Sequence, residues 1–173
     1  VNLRVAIVTV SDRSARGERE DRTGAELAQA VTDAGAAVVR RELVPDDPEA
    51  LGALLAELCD APEAPDLVLT AGGTGLGPRD RTPEATLAAC EREVPGIAEA
   101  VRARSLRVTP HAMLSRAVAG VRGRTLVVNL PGSPGGARDG WTVVAAVAEH
   151  AADQLRGGDH PRPGAVGGPG GSE

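Results

Sequence analysis

Aromatic side chains are almost missing from this chain: its 173 residues include one tryptophan and neither phenylalanine nor tyrosine. The core must therefore be aliphatic, and base-stacking platforms and aromatic cages are excluded. Lysine is missing outright, since all nineteen basic residues are arginine. A Walker-type lysine, a Schiff-base lysine and a lysine nucleophile are excluded with it. Arginine remains available to clamp phosphates or carboxylates through paired hydrogen bonds. Positive net charge is missing too, and a formal charge of −5 argues against a generic nucleic-acid or anionic-membrane binder. Two cysteines, Cys59 and Cys90, fit neither a metal spacing nor a disulfide framework. Both fall in apolar helical patterns, so they read as buried free thiols in a reducing cytoplasm. His111, His150 and His160 are scattered and form no ligand set. The longest apolar run is far short of a membrane span, and the first residues read as strand rather than signal peptide.

What is present is strand–helix alternation. Arg4 to Val10 is β-branched and nearly all apolar, as a central parallel strand should be. Helices are expected over Ala25 to Ala34, with Leu27, Ala28, Val31 and Ala34 on one face, and over Glu49 to Cys59. A strand from Ala37 to Val44 separates them, and Leu67-Val68-Leu69 is the third strand. Further helices are expected over Pro83 to Glu91, over Ile97 to Leu106, and from Thr109-Pro110 through Leu114 to Val118. Val121 to Gly123 reads as a brief strand or turn, and Thr125 to Leu130 as the last strand. A long helix over Ala137 to Leu155 follows, with Val143, Val144, Val147, Ala151 and Leu155 inward. This order predicts one α/β domain over 1–156, a three-layer α/β/α sandwich around a mostly parallel sheet. Residues 157–173 hold seven glycines and three prolines, and read as a disordered tail.

The chain is organised around Asp66 to Thr86. The third strand runs into Gly72-Gly73-Thr74-Gly75, where absent side chains let backbone N–H groups approach a ligand. A concavity of such groups is an anion site, and phosphate is its usual occupant. Arg79, Asp80 and Arg81 follow, and then Thr82-Pro83-Glu84, with Thr82 expected as N-cap. Ligands of open parallel sheets bind beyond the carboxyl ends of the strands. Four strands here end in distinctive loops: Ser11-Asp12-Arg13, Pro45-Asp46-Asp47, Gly72 to Asp80, and Pro131-Gly132-Ser133. Together they offer amides, hydroxyls, arginines and carboxylates, an inventory suited to a polyphosphate with Mg²⁺. On local grounds, Asp12 reads equally as a turn former and Asp46 as a helix cap. Asp80 reads also as an ion-pair partner of Arg79 or Arg81, Ser133 as an N-cap, and Arg116 as a solvated side chain.

The same residues, with Val94-Pro95-Gly96, Leu114-Ser115-Arg116-Ala117 and Asn129-Leu130-Pro131-Gly132-Ser133-Pro134, occur in an order that resembles MogA/MoaB-type molybdenum cofactor biosynthesis proteins. The resemblance covers about residues 3 to 156. It implies molybdopterin binding and, in active members, adenylyl transfer: the terminal phosphate of molybdopterin attacks the α-phosphorus of ATP and pyrophosphate leaves, with Mg²⁺. A non-catalytic molybdopterin-binding or scaffold member is the alternative. It implies essential, metal-holding roles for Asp46 and Asp80, and a substrate and phosphate cradle built from Ser11, Asp12, Thr23, Gly72, Gly73, Thr74, Gly75, Arg79, Pro131, Gly132 and Ser133. It also implies a homotrimer and a MoeA-like molybdate-inserting partner. Two departures stand out: a lysine common after Leu-Pro-Gly-Ser-Pro is replaced by Gly135, with Arg138 as a partial substitute, and Asp21-Arg22-Thr23-Gly24 carries threonine where serine is common.

Overall fold

A computed structural model describes residues 2–158. Six strands form one sheet: β1 (Arg4–Val10), β2 (Ala37–Val44), β3 (Leu67–Ala71), β4 (Arg92–Glu93), β5 (Ala119–Arg122) and β6 (Thr125–Leu130). Their order is β2-β1-β3-β6-β5-β4; β2, β1, β3 and β6 run parallel, while β5 is antiparallel to both β6 and β4. The helices are α1 (Asp12–Ala15), α2 (Arg22–Asp33), α3 (Pro48–Asp60), α4 (Thr82–Ala89), α5 (Pro95–Leu106) and α6 (Pro134–Leu155), with a 3₁₀ turn over Pro110–Leu114.

Strand alternation makes the two cores. Val5 and Ile7 of β1, Leu67 and Leu69 of β3, and Val128 and Leu130 of β6 face one side, where α2, α5 and α6 cover them. Ala6, Val8, Val68 and Val127 face the other, under α3 and α4. Each fully buried aliphatic side chain contributes about 1.5–3 kcal/mol relative to exposure. The one tryptophan, Trp141, ties two helices of the first layer, its indole N–H donating to the Ala30 carbonyl at 3.2 Å. The sandwich is the expected one.

Several local expectations are corrected. Thr82 does not cap α4: Arg81 holds the cap position without a side-chain bond, and Thr82 lies inside the first turn with its hydroxyl buried and unpartnered. The helix expected to reach Val118 stops at Leu114 as a 3₁₀ turn, because Val118 is drawn into exchanging hydrogen bonds with Asn129. Val147 is 45% exposed; the inward face of α6 is Ala137, Gly140, Trp141, Val144, Ala148 and Ala152. The two-residue β4 was not expected, being too short to carry a period of two. Apart from Gly157 and Gly158, the tail expected over 157–173 lies outside the described residues.

Candidate functional site

Chain direction through the sheet reverses between β1 and β3: α2 leads outward to β2 on one face, and α3 returns across the other. Such a switch point leaves a crevice beyond the strand ends. Here the crevice is held by reciprocal bonds between two loops. The Asp12 amide donates to Asp46 Oδ2 at 2.9 Å, and the Asp46 amide donates to Asp12 Oδ1 at 3.0 Å. Arg79 grips the same Asp12 carboxylate from the glycine loop, at 2.5 and 3.0 Å. Three strand ends are thereby fastened together.

The electrostatics follow from these contacts. The Arg79 guanidinium holds the Asp12 carboxyl below its ordinary value. Burial pushes the Asp46 carboxyl up, and the charges of Asp12 and Asp80 push the same way, against the bond from the Asp12 amide. A carboxylate already disfavoured by its surroundings gains from any cation brought next to it.

The glycine loop divides its labour. Gly72 sits at φ +109, and its Cα lies against the Val10 carbonyl of β1, so a Cβ there would overlap that oxygen. Its N–H is spent on the Leu130 carbonyl at 3.2 Å. The N–H groups of Gly73, Thr74 and Gly75 make no hydrogen bond among the described residues. Successive amides without partners are the kind of backbone an anion can use. Asp80 closes the far side, accepting from the Gly77 amide at 2.9 Å. Arg116 clamps the loop from behind, donating to the carbonyls of Gly75 at 2.9 Å and of Asp80, and pairing with Glu84.

Two cavities flank this loop. The smaller, about 420 Å³, is largely polar and is bordered by Ser11, Thr23, Asp46, Gly72, Gly73 and Asp80. The larger, about 600 Å³, has mostly apolar walls and is bordered by Thr74, Gly75 and Pro131. Gly132 and Ser133 border both. Most residues expected at the site are therefore brought together, in two groups that meet at one loop. Asp12 borders neither cavity, and Arg79 borders only a shallow notch beside Asp46. The Thr23 hydroxyl is committed to the Gly132 carbonyl at 2.7 Å, joining the first turn of α2 to the last loop.

The local alternatives are also decided. Asp47, not Asp46, caps α3. Asp80 pairs with neither Arg79 nor Arg81. Ser133 does cap α6, accepting from the Gly136 amide at 3.1 Å. Ser11 caps α1, accepting from the Ser14 amide. Arg138, the side chain weighed as a partial substitute for the missing lysine, points to Glu26, 3.6 Å away, and does not border the larger cavity. The cation bordering that cavity is Arg102, whose distance in sequence from the loops hid it; its Nη1 donates to the Ala117 carbonyl at 2.7 Å. Asn129 was another role missed: buried in β6, it joins Thr70 and Thr86 at 2.9 Å each, and the one signal was an amide in an otherwise apolar strand.

A doubly wound sheet with a glycine loop at its switch point, walled by carboxylates and opening on two cavities, defines an α/β protein with its ligand crevice beyond the strand ends. Residues 6–150 match the family described as a probable molybdopterin binding domain, and the chain belongs to that family. Among its relatives is the molybdopterin adenylyltransferase of Helicobacter pylori, 34% identical over 90% of this chain and 89% of the relative. The enzyme of the same name from Escherichia coli is 42% identical over 76% of this chain and 68% of its own length. The crystal structure of the molybdopterin biosynthesis enzyme MoaB from Thermus thermophilus is 52% identical, with a TM-score of 0.83 over 90% of this chain and 97% of that one.

Proposed function

We propose that this chain transfers AMP from ATP to the terminal phosphate of molybdopterin. A phosphate oxygen of molybdopterin forms the bond to the α-phosphorus of ATP, the bond to the β-phosphate breaks, and pyrophosphate leaves. The observation that carries this reading is the row of unpaired amides at Gly73, Thr74 and Gly75, set between Asp46 and Asp80 where two cavities meet. The polar cavity suits the nucleotide's phosphates, and the apolar one suits a flat heterocycle. The names of the relatives agree with it. Transfer of this kind needs positioning and charge neutralisation rather than a covalent nucleophile, so the lack of lysine does not exclude it.

The residues fit Mg²⁺ in one way only. Among the described residues no three acidic, histidine or cysteine side chains gather as a metal site of their own. Two carboxylates near a phosphate cradle are what Mg²⁺ uses when phosphate oxygens complete its shell. Asp46 and Asp80 would hold it, and it would offset charge developing on the leaving pyrophosphate. The free amides of Gly73 to Gly75 hold phosphoryl oxygens, and Arg116 keeps that loop in shape. A homotrimer is proposed on the family resemblance, with the exposed Leu106 and Met113 as surface that association would cover. A MoeA-like molybdate-inserting protein is the proposed consumer of the adenylylated product, and the free thiols suit a cytoplasmic setting.

The test is incubation with molybdopterin, ATP and Mg²⁺, reading AMP-linked pterin and pyrophosphate. Asp80→Asn should lower turnover about a hundredfold, near 3 kcal/mol of barrier, and leave molybdopterin binding far less changed. Normal turnover in both Asp46→Asn and Asp80→Asn at saturating Mg²⁺ would remove the catalytic assignment. A wild-type protein that binds molybdopterin without transfer would be the non-catalytic family member instead.

A further inference from the structure

One carboxylate borders the larger cavity, and the transfer reaction leaves it without a task. Asp139 lies in the second turn of α6, with its side chain 36% exposed. It accepts no hydrogen bond among the described residues, and its nearest cation, Arg104, stands 3.8 Å away. A loose pair at a partly exposed site is worth little to stability. Two further features mark this cavity as built for a polar-edged heterocycle. Val101, Val108 and Leu114 supply apolar walls, and on α5 the Ser105 hydroxyl oxygen is buried without a partner.

We propose that Asp139 reads the 2-amino and N3–H edge of a pterin held in the larger cavity, and so sets which heterocycle the site accepts. The inference rests on the reading of that cavity as the molybdopterin side. A 2-amino-4-oxopteridine presents two adjacent N–H donors in the same fork as a guanidinium, and a carboxylate accepts both in parallel. Replacing the 2-amino group by oxygen turns a donor into an acceptor, and the carboxylate then faces a carbonyl. Sites that hydrogen-bond a defined donor discriminate strongly against analogues lacking it, because their own polar group is left unpaired. Asp139 is thus a specificity residue, remote from the reacting phosphorus. Anchoring the amino edge at Asp139 leaves the rest of the substrate to extend toward Gly132 and Ser133, which border both cavities.

The experiment measures binding of two fluorescent probes, 6-hydroxymethylpterin monophosphate and the corresponding 2-oxo lumazine monophosphate. Wild type should prefer the pterin by roughly tenfold or more, and Asp139→Asn should bring the two within about threefold of each other. The Asn variant should also raise KM for molybdopterin while KM for ATP and the melting temperature stay as in wild type. Arg104→Gln removes the ion pair but keeps the carboxylate, and should retain the wild-type preference. Equal binding of both probes by wild type, a preference kept in Asp139→Asn, or the same loss in Arg104→Gln each overturns the inference. Binding of neither probe overturns it as well. Adenylyl transfer by the same wild-type preparation separates the two readings: with transfer intact and discrimination unchanged in Asp139→Asn, only the inference falls.

Discussion

Replacing Gly72 by alanine tests the packing that shapes the crevice. At φ +109 an L-residue is strained whatever surrounds it, and the added Cβ would also drive into the Val10 carbonyl oxygen. That oxygen belongs to β1, held by β2 on one side and β3 on the other, so it cannot swing aside as a side-chain end would. The left-handed conformation costs an ordinary residue about 1–2 kcal/mol, and overpacking adds about 1–3 kcal/mol. The sum, about 2–5 kcal/mol, is a large part of the 5–15 kcal/mol typical of a domain. Gly35 supplies the control: its φ is +84, but a Cβ there meets nothing within 4 Å. Gly35→Ala should therefore show the conformational cost alone. Urea denaturation of both variants measures the difference, expected at about 1–3 kcal/mol with Gly72→Ala the less stable. Molybdopterin and nucleotide binding should suffer in Gly72→Ala only, because the parting of β1 from β3 disturbs the Asp12–Asp46 clasp. Equal destabilisation by the two variants would refute this account of the glycine.

Arg116→Met should loosen the glycine loop, costing about 1–3 kcal/mol through lost charged hydrogen bonds, with nucleotide binding weakened; unchanged binding would show that the loop holds its shape without the clamp. Gly75→Val should impair binding through Asp80, whose Oδ2 lies 3.0 Å from where a Cβ would stand; a variant with normal affinity would place the cradle elsewhere. Burial pushes the Cys59 and Cys90 thiols up to about 11, so neither should react with a thiol reagent at neutral pH until the chain unfolds. A bond from Arg122 holds the Asp60 carboxyl below its ordinary value. Its contribution is complete above the unfolded carboxyl value and fades as pH falls through the folded one. The melting-temperature gap between wild type and Asp60→Asn should accordingly be steady above about pH 6 and shrink as the pH falls below the ordinary carboxyl value; a gap that widened on acidification would contradict the pair's role.

Local pattern determined the elements and where the crevice opens. The apolar runs at Arg4–Val10, Leu67–Ala71 and Thr125–Leu130 read as buried strands and fold as such, and Gly-Gly-Thr-Gly after one of them lies where the two cavities open. The parallel order follows from strand–helix alternation, so the four loops sharing one edge were legible as well. What remained hidden were partnerships between residues far apart in the chain. Asp46 and Asp47 are neighbours with equal claims to cap α3, and only the position of the Asp12 loop, 34 residues away, freed Asp46 for the crevice. Arg116 looked like a solvated side chain until folding set it behind Gly75 and Asp80. Val118 left its expected helix because Asn129 offered backbone and side-chain partners that local sequence does not contain. The division of the site into a polar and an apolar cavity arises from how α5 and α6 pack beside β6. Short-range periodicity encodes which face of an element is buried, whereas hydrogen-bond partners and cavity walls depend on where distant elements come to rest, and the tertiary structure alone decides that.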